Sequence, residues 1–555
     1  MRKFLIVQLT RMGDTLQTTP LLAGLKQEYP GCHICLYIIR GMARVLQGNE
    51  NVNEMIHFEP QDMLDELMSD DSAGLLRCYA KLKSEIETLR DKRFDTIINL
   101  SHSKFSALLL RLIPCDDVRG LTLSDDWLRV IRGRWPNYFI NSVFNRAYNQ
   151  FNQVDVYRKF GGDLPPHTRL DLAVDDDSRR YADELLRKEG VREDDFVVCL
   201  QPGANDEAKR WPAERFAELA DILIREQDAK VVLLGTEEER PIGARVMEAM
   251  HETAIDTFGR SNIPQLAAIL DRADFLVTND TGVMHVAATT KTRIIDLCFS
   301  NVYFRETGPY GEGHFVVQSR IECTPCRMTL ECHDRKCKNY ITARDVVRLI
   351  KLVREQEHPD QMEDAVELER VNYFVSRFRD DGMAEYVPLI RRPVTIDDLL
   401  NMAYRAMWTE FLDGRGGTKD SGFKRLLGYY SIEDGVLREL ESSASAFDEL
   451  AAIAAGGIEK SEELITALSR PNVQYSSLRP LVAELSRVDD KIKVAGRTHE
   501  VVRSLTSLFT FEKENLEGED VRSLAHDTLQ LYTDMSERCR LMQRTLGTLS
   551  RLLKE

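Results

Sequence analysis

The chain has no stretch that approaches the eighteen or so consecutive apolar residues of a membrane span. It also has no convincing export signal. Met1 to Gln8 carries two basic residues and a short apolar run, but Gln8, Thr10 and Arg11 interrupt it and no small-residue cleavage site follows. The expected location is therefore the cytoplasm. Basic charge is in deficit, with 74 Lys and Arg against 90 Asp and Glu and a net charge of -16. That balance argues against nucleic acid as a partner and against whole-surface attraction to anionic lipid, so any anion site must be local. Three signatures are missing as well. No Gly-x-Gly-x-x-Gly follows the strand-like runs ending at Leu9, Leu200 or Gly235, which disfavours a dinucleotide oxidoreductase. There is no Gly-Lys-Ser/Thr phosphate loop and no Gly-x-Ser-x-Gly nucleophile elbow.

What is present is a soluble globular composition, 43% apolar and 30% charged, over 555 residues, too many for one ordinary core. The first part alternates short aliphatic runs with amphipathic stretches, the pattern of parallel βαβ units. Strands are expected at Phe4–Leu9, Cys35–Ile39 and Thr96–Leu100, with a helix at Thr18–Glu28. A second series has strands at Phe196–Leu200, Val231–Gly235, Phe275–Thr278 and Arg293–Leu297. Its helices are expected at Ala213–Glu226, Glu238–Met250, Ile263–Leu270 and Val283–Ala288. The fold class is α/β, with two facing Rossmann-like domains at 1–168 and 169–380 and an all-helical region at 381–555. The helical region should contain Ile396–Leu412, Glu433–Ala455, Ser461–Ser469, Leu478–Val488 and Val521–Leu553. Along its last helix, Val521, Leu524, Thr528, Leu531, Met535, Cys539, Met542, Leu546, Leu549 and Leu553 form one apolar seam at mostly alternating three- and four-residue steps. Packing within its own bundle is the preferred reading, because the repeat slips between Met535 and Cys539. Self-association through these helices is the alternative.

Ligands of paired Rossmann-like domains bind where the loops leave the carboxyl ends of strands, and four such loops carry polar residues. After the first strand comes Met12-Gly13-Asp14, where Gly13 permits a tight turn and Asp14 can face the cleft or merely cap the helix. Asp280-Thr281-Gly282-Val283-Met284-His285 follows an apolar strand and opens a helix whose free N–H groups suit a diphosphate. Gln201-Pro202-Gly203-Ala204 leads to Lys209-Arg210-Trp211-Pro212, where Lys209 can offset charge on a departing phosphate and Trp211 anchors the loop. In Gly235-Thr236-Glu237-Glu238-Glu239-Arg240 an acid can meet a ribose hydroxyl or simply complement a helix start.

Together, Met12-Gly13-Asp14, Lys209-x-Trp211-Pro212 and Asp280-Thr281-Gly282-x-x-His285 resemble the ADP-heptose:lipopolysaccharide heptosyltransferase family over roughly residues 1 to 350. The resemblance implies a GT-B fold and an inverting, metal-independent transfer of heptose from ADP-heptose to a glycan hydroxyl, the lipopolysaccharide core. It implies Asp14 as the base, and Lys209, Thr281, Gly282 and His285 as contacts to the donor phosphate or sugar. Gly13, Gly203 and Asp280 complete the donor-side set, with Glu237 or Glu238 on the ribose. The residues' own chemistry agrees: such a transfer needs a base for the acceptor hydroxyl and fixed positive charge for the leaving ADP. Two other readings compete: a catalytically idle sugar-nucleotide-binding scaffold that recruits partners through its helices, and a sugar-nucleotide epimerase.

Two clusters lie outside those motifs. Arg129, Arg132 and Arg134, between Trp127 and Trp135, form a basic and aromatic patch suited to an anionic glycan or glycolipid acceptor and to peripheral contact with the inner membrane. A solvated helix face is the bland alternative. Cys323, Cys326, Cys332 and Cys337 stand in one loop, enough thiolates for a tetrahedral structural zinc or iron site, with His333 as a spare ligand. No cofactor is required for catalysis on this reading. The remaining seven cysteines are scattered as buried small hydrophobes.

Overall fold

The computed structural model describes residues 1–68, 72–142, 146–326, 332, 334–355, 370–414, 418–433, 435–471, 473–518 and 520–555. The chain forms two compact units, each drawn from two stretches: Met1–Cys78 with Phe151–Arg391, and Tyr79–Gln150 with Arg392–Glu555. These units are discontinuous, whereas the domains expected from sequence are consecutive segments. Strands run in chain order as β1 (Lys3–Gln8), β2 (His33–Ile39), β3 (Glu54–Phe58), β4 (Thr96–Asn99), β5 (Val118–Leu123) and β6 (Arg129–Arg132). The later strands are β7 (Val197–Gln201), β8 (Lys230–Leu233), β9 (Ile255–Asp256), β10 (Phe275–Asn279), β11 (Arg293–Cys298), β12 (Phe315–Ser319), β13 (Val371–Phe378) and β14 (Ala384–Pro388).

In the first unit β2 pairs in parallel with both β1 and β3. Phe4, Leu5, Ile6 and Val7 are all buried, as expected of a parallel strand covered on both faces. The second sheet has the order β14-β13-β12-β11-β10-β7-β8-β9. From β7 to β12 every pairing is parallel. The strand order reverses between β7 and β10, so the connections leaving these two strands diverge and open a crevice at their carboxyl ends. Gln201 ends β7 and Asn279 ends β10, which sets the loops carrying Gly203 and Asp280 side by side.

The β13–β14 hairpin was not expected, and β14 lies inside the stretch assigned to the helical region. It pairs antiparallel with β13, and β13 with β12. The signal was the Arg379-Asp380-Asp381-Gly382 turn. Gly382 adopts a φ of +72°, the left-handed conformation that glycine accepts readily, and the Asp381 side chain accepts from the Met383 N–H at 3.0 Å.

In the second unit β4 and β5 pair in parallel and β5 and β6 antiparallel. Helices follow at Ile396–Asp413, Asp420–Leu427, Val436–Leu468, Arg479–Thr498, Arg503–Glu514 and Val521–Lys554. Thr395 caps the first through Asp398 N, and the left-handed Gly414 ends it. Two expected helices merge into Val436–Leu468 across Gly456-Gly457. A side chain at 457 would meet the Tyr532 ring at 2.3 Å, so here the glycine lets two long helices approach closely. Of the seam, Leu531, Met535, Cys539, Met542, Leu546 and Leu549 are buried while Val521 and Leu524 at the start of the helix are exposed, and the helix packs against Val436–Leu468 and Ile396–Asp413 of the same chain. Arg538, 1% exposed, pairs with both oxygens of Glu512 at 2.8 Å and lies 4.4 Å from the Phe411 ring centroid. Among the described residues, no helix is long and apolar enough to cross a membrane.

Candidate active site

The crevice at the order reversal is held together by a buried amide. Asn279 donates to the carbonyls of Pro202 and Gly203, both at 3.1 Å, and accepts from the Trp211 N–H at 3.0 Å. Trp211 is itself buried, and its indole N–H donates to the Ile341 carbonyl at 3.1 Å. Between these anchors Glu207–Lys209 forms a single tight turn, capped by Asp206 on the Ala208 N–H at 2.8 Å. Lys209 thereby reaches Asp280, with Nζ 2.7 Å from Oδ2. Thr281 precedes the Gly282–Ala287 helix in an extended conformation and makes no side-chain cap of its own.

The turn after β1 belongs to the same unit and interlocks with that helix. A Cβ on Gly13 would lie 2.6 Å from Cδ2 of His285, and a Cβ on Gly282 would lie 2.5 Å from the Met12 side chain. Gly13 and Gly282 therefore lack side chains because the opposite motif occupies the space. Asp14 caps its helix and also holds a second side chain. Its Oδ2 accepts from the Arg11 N–H at 3.2 Å and caps the Met12–Leu16 helix, while Oδ1 accepts from Gln153 Nε2 at 2.8 Å. Gln153 donates its second hydrogen to the Tyr157 hydroxyl at 2.7 Å. Gln8, buried at the end of β1, donates to the Asp14 carbonyl at 3.3 Å and to Thr18 Oγ1 at 3.0 Å.

Burial dominates the electrostatics. It holds the His285 imidazole below its usual pKa, only partly offset by the carboxylates of Asp280 and Asp14. His285 Nδ1 has no hydrogen-bond partner within the structure. Asp296, fully buried on β11, is pushed up to about 8 by burial and then by the charge of Asp280.

The acidic loop after β8 resolves differently from the expectation of Glu237 or Glu238. Glu237 pairs with Arg240 at 2.7 Å and is turned against Gly259. The carboxylate facing Gly203 belongs to Glu239: it accepts from Gln201 Nε2 at 3.3 Å and from the Thr236 N–H at 3.0 Å. The three arginines also have partners within their unit. Arg129 stacks 4.9 Å from the Phe511 ring centroid, Arg132 pairs with Glu517 at 3.2 Å, and Arg134 donates to the Phe411 carbonyl at 3.1 Å. Arg129 and Arg132 lie on β6 rather than on a helix face.

Among the described residues, no three His, Cys, Asp or Glu side chains form a ready metal-binding group. His333 lies outside the described residues. Even so, Cys326 is near enough to the other three thiols of its loop that Cys337, Cys323 and Cys332 add to the burial that raises its pKa. The loop is tied to the Lys209 turn: Arg335 pairs with Glu207 at 2.9 Å, and Lys338 donates to the Glu207 carbonyl at 2.6 Å. Gln8, Gln153 and Asp296 escaped the sequence reading, and Glu239 entered it only as one acid of its loop. A polar side chain ending an otherwise apolar strand was the available signal for Gln8.

Comparison with known proteins fits this geometry. The profile of Glycosyltransferase family 9 (heptosyltransferase) matches residues 83–336. Lipopolysaccharide heptosyltransferase 3 of Escherichia coli K12 is 26% identical over 361 residues, which is 62% of this chain and 96% of that protein. Lipooligosaccharide heptosyltransferase 2 of Haemophilus influenzae is 34% identical over 308 residues, 53% of this chain and 82% of that protein. A solved glycosyl transferase family 9 structure from Veillonella parvula aligns with a TM-score of 0.52 at 22% identity, covering 64% of this chain and 98% of the other. With a third of the positions identical across most of a relative's length, the chain belongs to glycosyltransferase family 9 and is a glycosyltransferase of the GT-B fold.

Proposed function

We propose that the protein is an inverting heptosyltransferase that moves heptose from ADP-heptose to a hydroxyl of a glycan acceptor, the lipopolysaccharide core. Heptose as the transferred sugar and a lipopolysaccharide or lipooligosaccharide acceptor are in the names of its relatives. The observation that carries the reading is the Lys209–Asp280 pair at the strand-order reversal, beside a helix start that interlocks with the Asp14 turn. In this mechanism Asp14 takes the proton of the acceptor hydroxyl while that oxygen attacks the anomeric carbon from the face opposite the diphosphate. The bond from the anomeric carbon to the phosphate oxygen breaks and its electron pair leaves with ADP, so one displacement inverts the centre. Lys209 exchanges Asp280 for the diphosphate, and the N–H groups at Thr281 and Gly282 add fixed positive potential. Glu239, rather than Glu237 or Glu238, is the acid we assign to the ribose, because Glu237 is held by Arg240 and Glu239 faces Gly203. Incubation with ADP-heptose should release ADP only when a heptose-accepting core glycan is added. No acceptor-dependent release from any core glycan would defeat the assignment.

We also propose that Cys323, Cys326, Cys332 and Cys337 hold one structural zinc or iron. The support is the nearness of Cys323, Cys332 and Cys337 to Cys326, on which all three act, and the scarcity of apolar residues with which this loop could fold by burial. Elemental analysis of protein purified under reducing conditions should find about one metal per chain. In Cys326→Ser the metal should be lost, with residual transfer retained, because the chemistry belongs to Asp14 and Lys209. Metal-free protein with an ordered loop refutes the site.

A further inference from the structure

Asp296 is a carboxyl group that the mechanism leaves unused. It sits on β11 opposite Thr278 of β10 and Val316 of β12, fully buried. Its Oδ2 accepts from the Cys298 thiol at 3.2 Å, while its Oδ1 is buried and has no hydrogen-bond partner among the described residues. On the same face lies an apolar cluster of Cys298, Val302, Phe304, Val316, Phe374 and Tyr386. The ionisable groups acting on this carboxyl are Cys298 on its own strand, Asp280 beyond β10 and Lys209 from the Glu207–Lys209 turn. Across the cluster the Tyr386 hydroxyl of β14 also feels its charge, together with that of Asp155 on the Gln153–Phe160 helix. Lys209 is the cation among them, and it already pairs with Asp280, while the Arg305 guanidinium lies over the Phe304 and Phe374 rings of the cluster. A second carboxylate here would be desolvated, would have to share Lys209 with Asp280 and would repel Asp280, so the neutral acid is favoured.

We propose that Asp296 is a positioning residue for the donor diphosphate: as the neutral acid behind the Lys209–Asp280 pair it leaves the lysine charge available to the diphosphate, and its ionisation withdraws that charge. This rests on the donor-site reading above. Ionisation sends one proton to solvent and changes the site by one negative charge. With the neutral form persisting up to about pH 8, diphosphate binding should weaken as the pH rises through that value.

The test is calorimetric titration with ADP between pH 7 and pH 9. Wild-type affinity should fall roughly tenfold across that range, the effect of one unit charge several ångströms away in a partly screened site. Asp296→Asn, a neutral isostere, should match the wild type at pH 7 and stay flat to pH 9. Asp296→Ala, equally unable to ionise, should be flat as well and serves if the amide is not accommodated. The wild type gives a reading of its own: at pH 8.5, titrations in two buffers of different ionisation heat should show net proton uptake on binding ADP. A purely structural Asp296 would move thermal stability but neither the pH profile nor the proton uptake. Parallel pH curves in wild type and variants, or no proton uptake by the wild type, overturn the inference alone. No ADP binding by the wild type at pH 7 overturns the donor site, and this inference with it.

Discussion

Replacing Asp14 by Asn separates chemistry from architecture, because the surrounding network can accept the amide. In the native site Gln153 donates one hydrogen to Asp14 Oδ1 and the other to Tyr157, while the Arg11 N–H binds Oδ2. An asparagine can keep its oxygen toward Arg11 and present its NH2 group to position 153. The Gln153 amide then turns over, so that its oxygen accepts from both Asn and the Tyr157 hydroxyl. Both contacts of residue 14 are kept at the expense of the acceptors of the Gln153 NH2 group, and the stability change should stay within about 3 kcal/mol, the penalty of one buried amide left without partners. ADP affinity should change by no more than about twofold, since the diphosphate contacts are untouched. Turnover is another matter: an amide cannot take the acceptor proton, and loss of a positioned base typically costs about a hundredfold to ten-thousandfold. Acceptor-dependent ADP release, calorimetric ADP binding and thermal unfolding on the same preparation measure the three quantities. A folded, ADP-binding Asp14→Asn that turns over within about fivefold of wild type would show that Asp14 only caps its helix.

Lys209→Ala should weaken ADP binding and lower turnover, each by about tenfold or more, because it removes the cation meant for the diphosphate and leaves Asp280 unpaired; unchanged values in titration and rate assays would make Lys209 a surface lysine. Gly13→Ala places a methyl group 2.6 Å from the buried His285 ring, and should destabilise by roughly 1–3 kcal/mol and depress transfer, whereas Gly41→Ala, with nothing within 4 Å, should do neither. Equal denaturation midpoints for the two variants would show that the interlock is loose. His314 is buried with Nδ1 accepting from the Ile294 N–H, and burial lowers its pKa to about 4 from the usual 6.5. The unfolded imidazole gains its proton before the folded one, so its contribution is complete above pH 6.5 and is lost as pH falls toward 4, by up to roughly 3 kcal/mol. His314→Asn should flatten that part of the acid-unfolding profile, and a profile identical to wild type would refute the assignment.

The alternation of apolar runs in the sequence was enough to define two Rossmann-like series and a helical C-terminal region, because buried parallel strands and amphipathic helices differ in period and length. It also singled out Asp14, Lys209 and the Asp280–His285 string as candidates, because each follows a strand, where such folds bind ligands, and the family resemblance added their proposed roles. Contacts between residues far apart in sequence carry no periodicity and had to wait for the fold. Gly13 and Gly282 read as turn and helix-start glycines, and only packing revealed that each accommodates a side chain of the other's motif. Likewise three consecutive glutamates look equivalent in the sequence, while Arg240 takes Glu237 and the backbone at Thr236 turns Glu239 inward. The Arg129–Arg134 cluster reads in the sequence as a basic patch or a solvated face, and only the fold showed Phe511, Glu517 and Phe411, hundreds of residues away, as its neighbours. Asp296 is the clearest case. Within Arg293–Cys298 it is one polar residue in an apolar strand, and its meaning lies in a desolvated position behind Lys209 and Asp280 that tertiary packing alone creates.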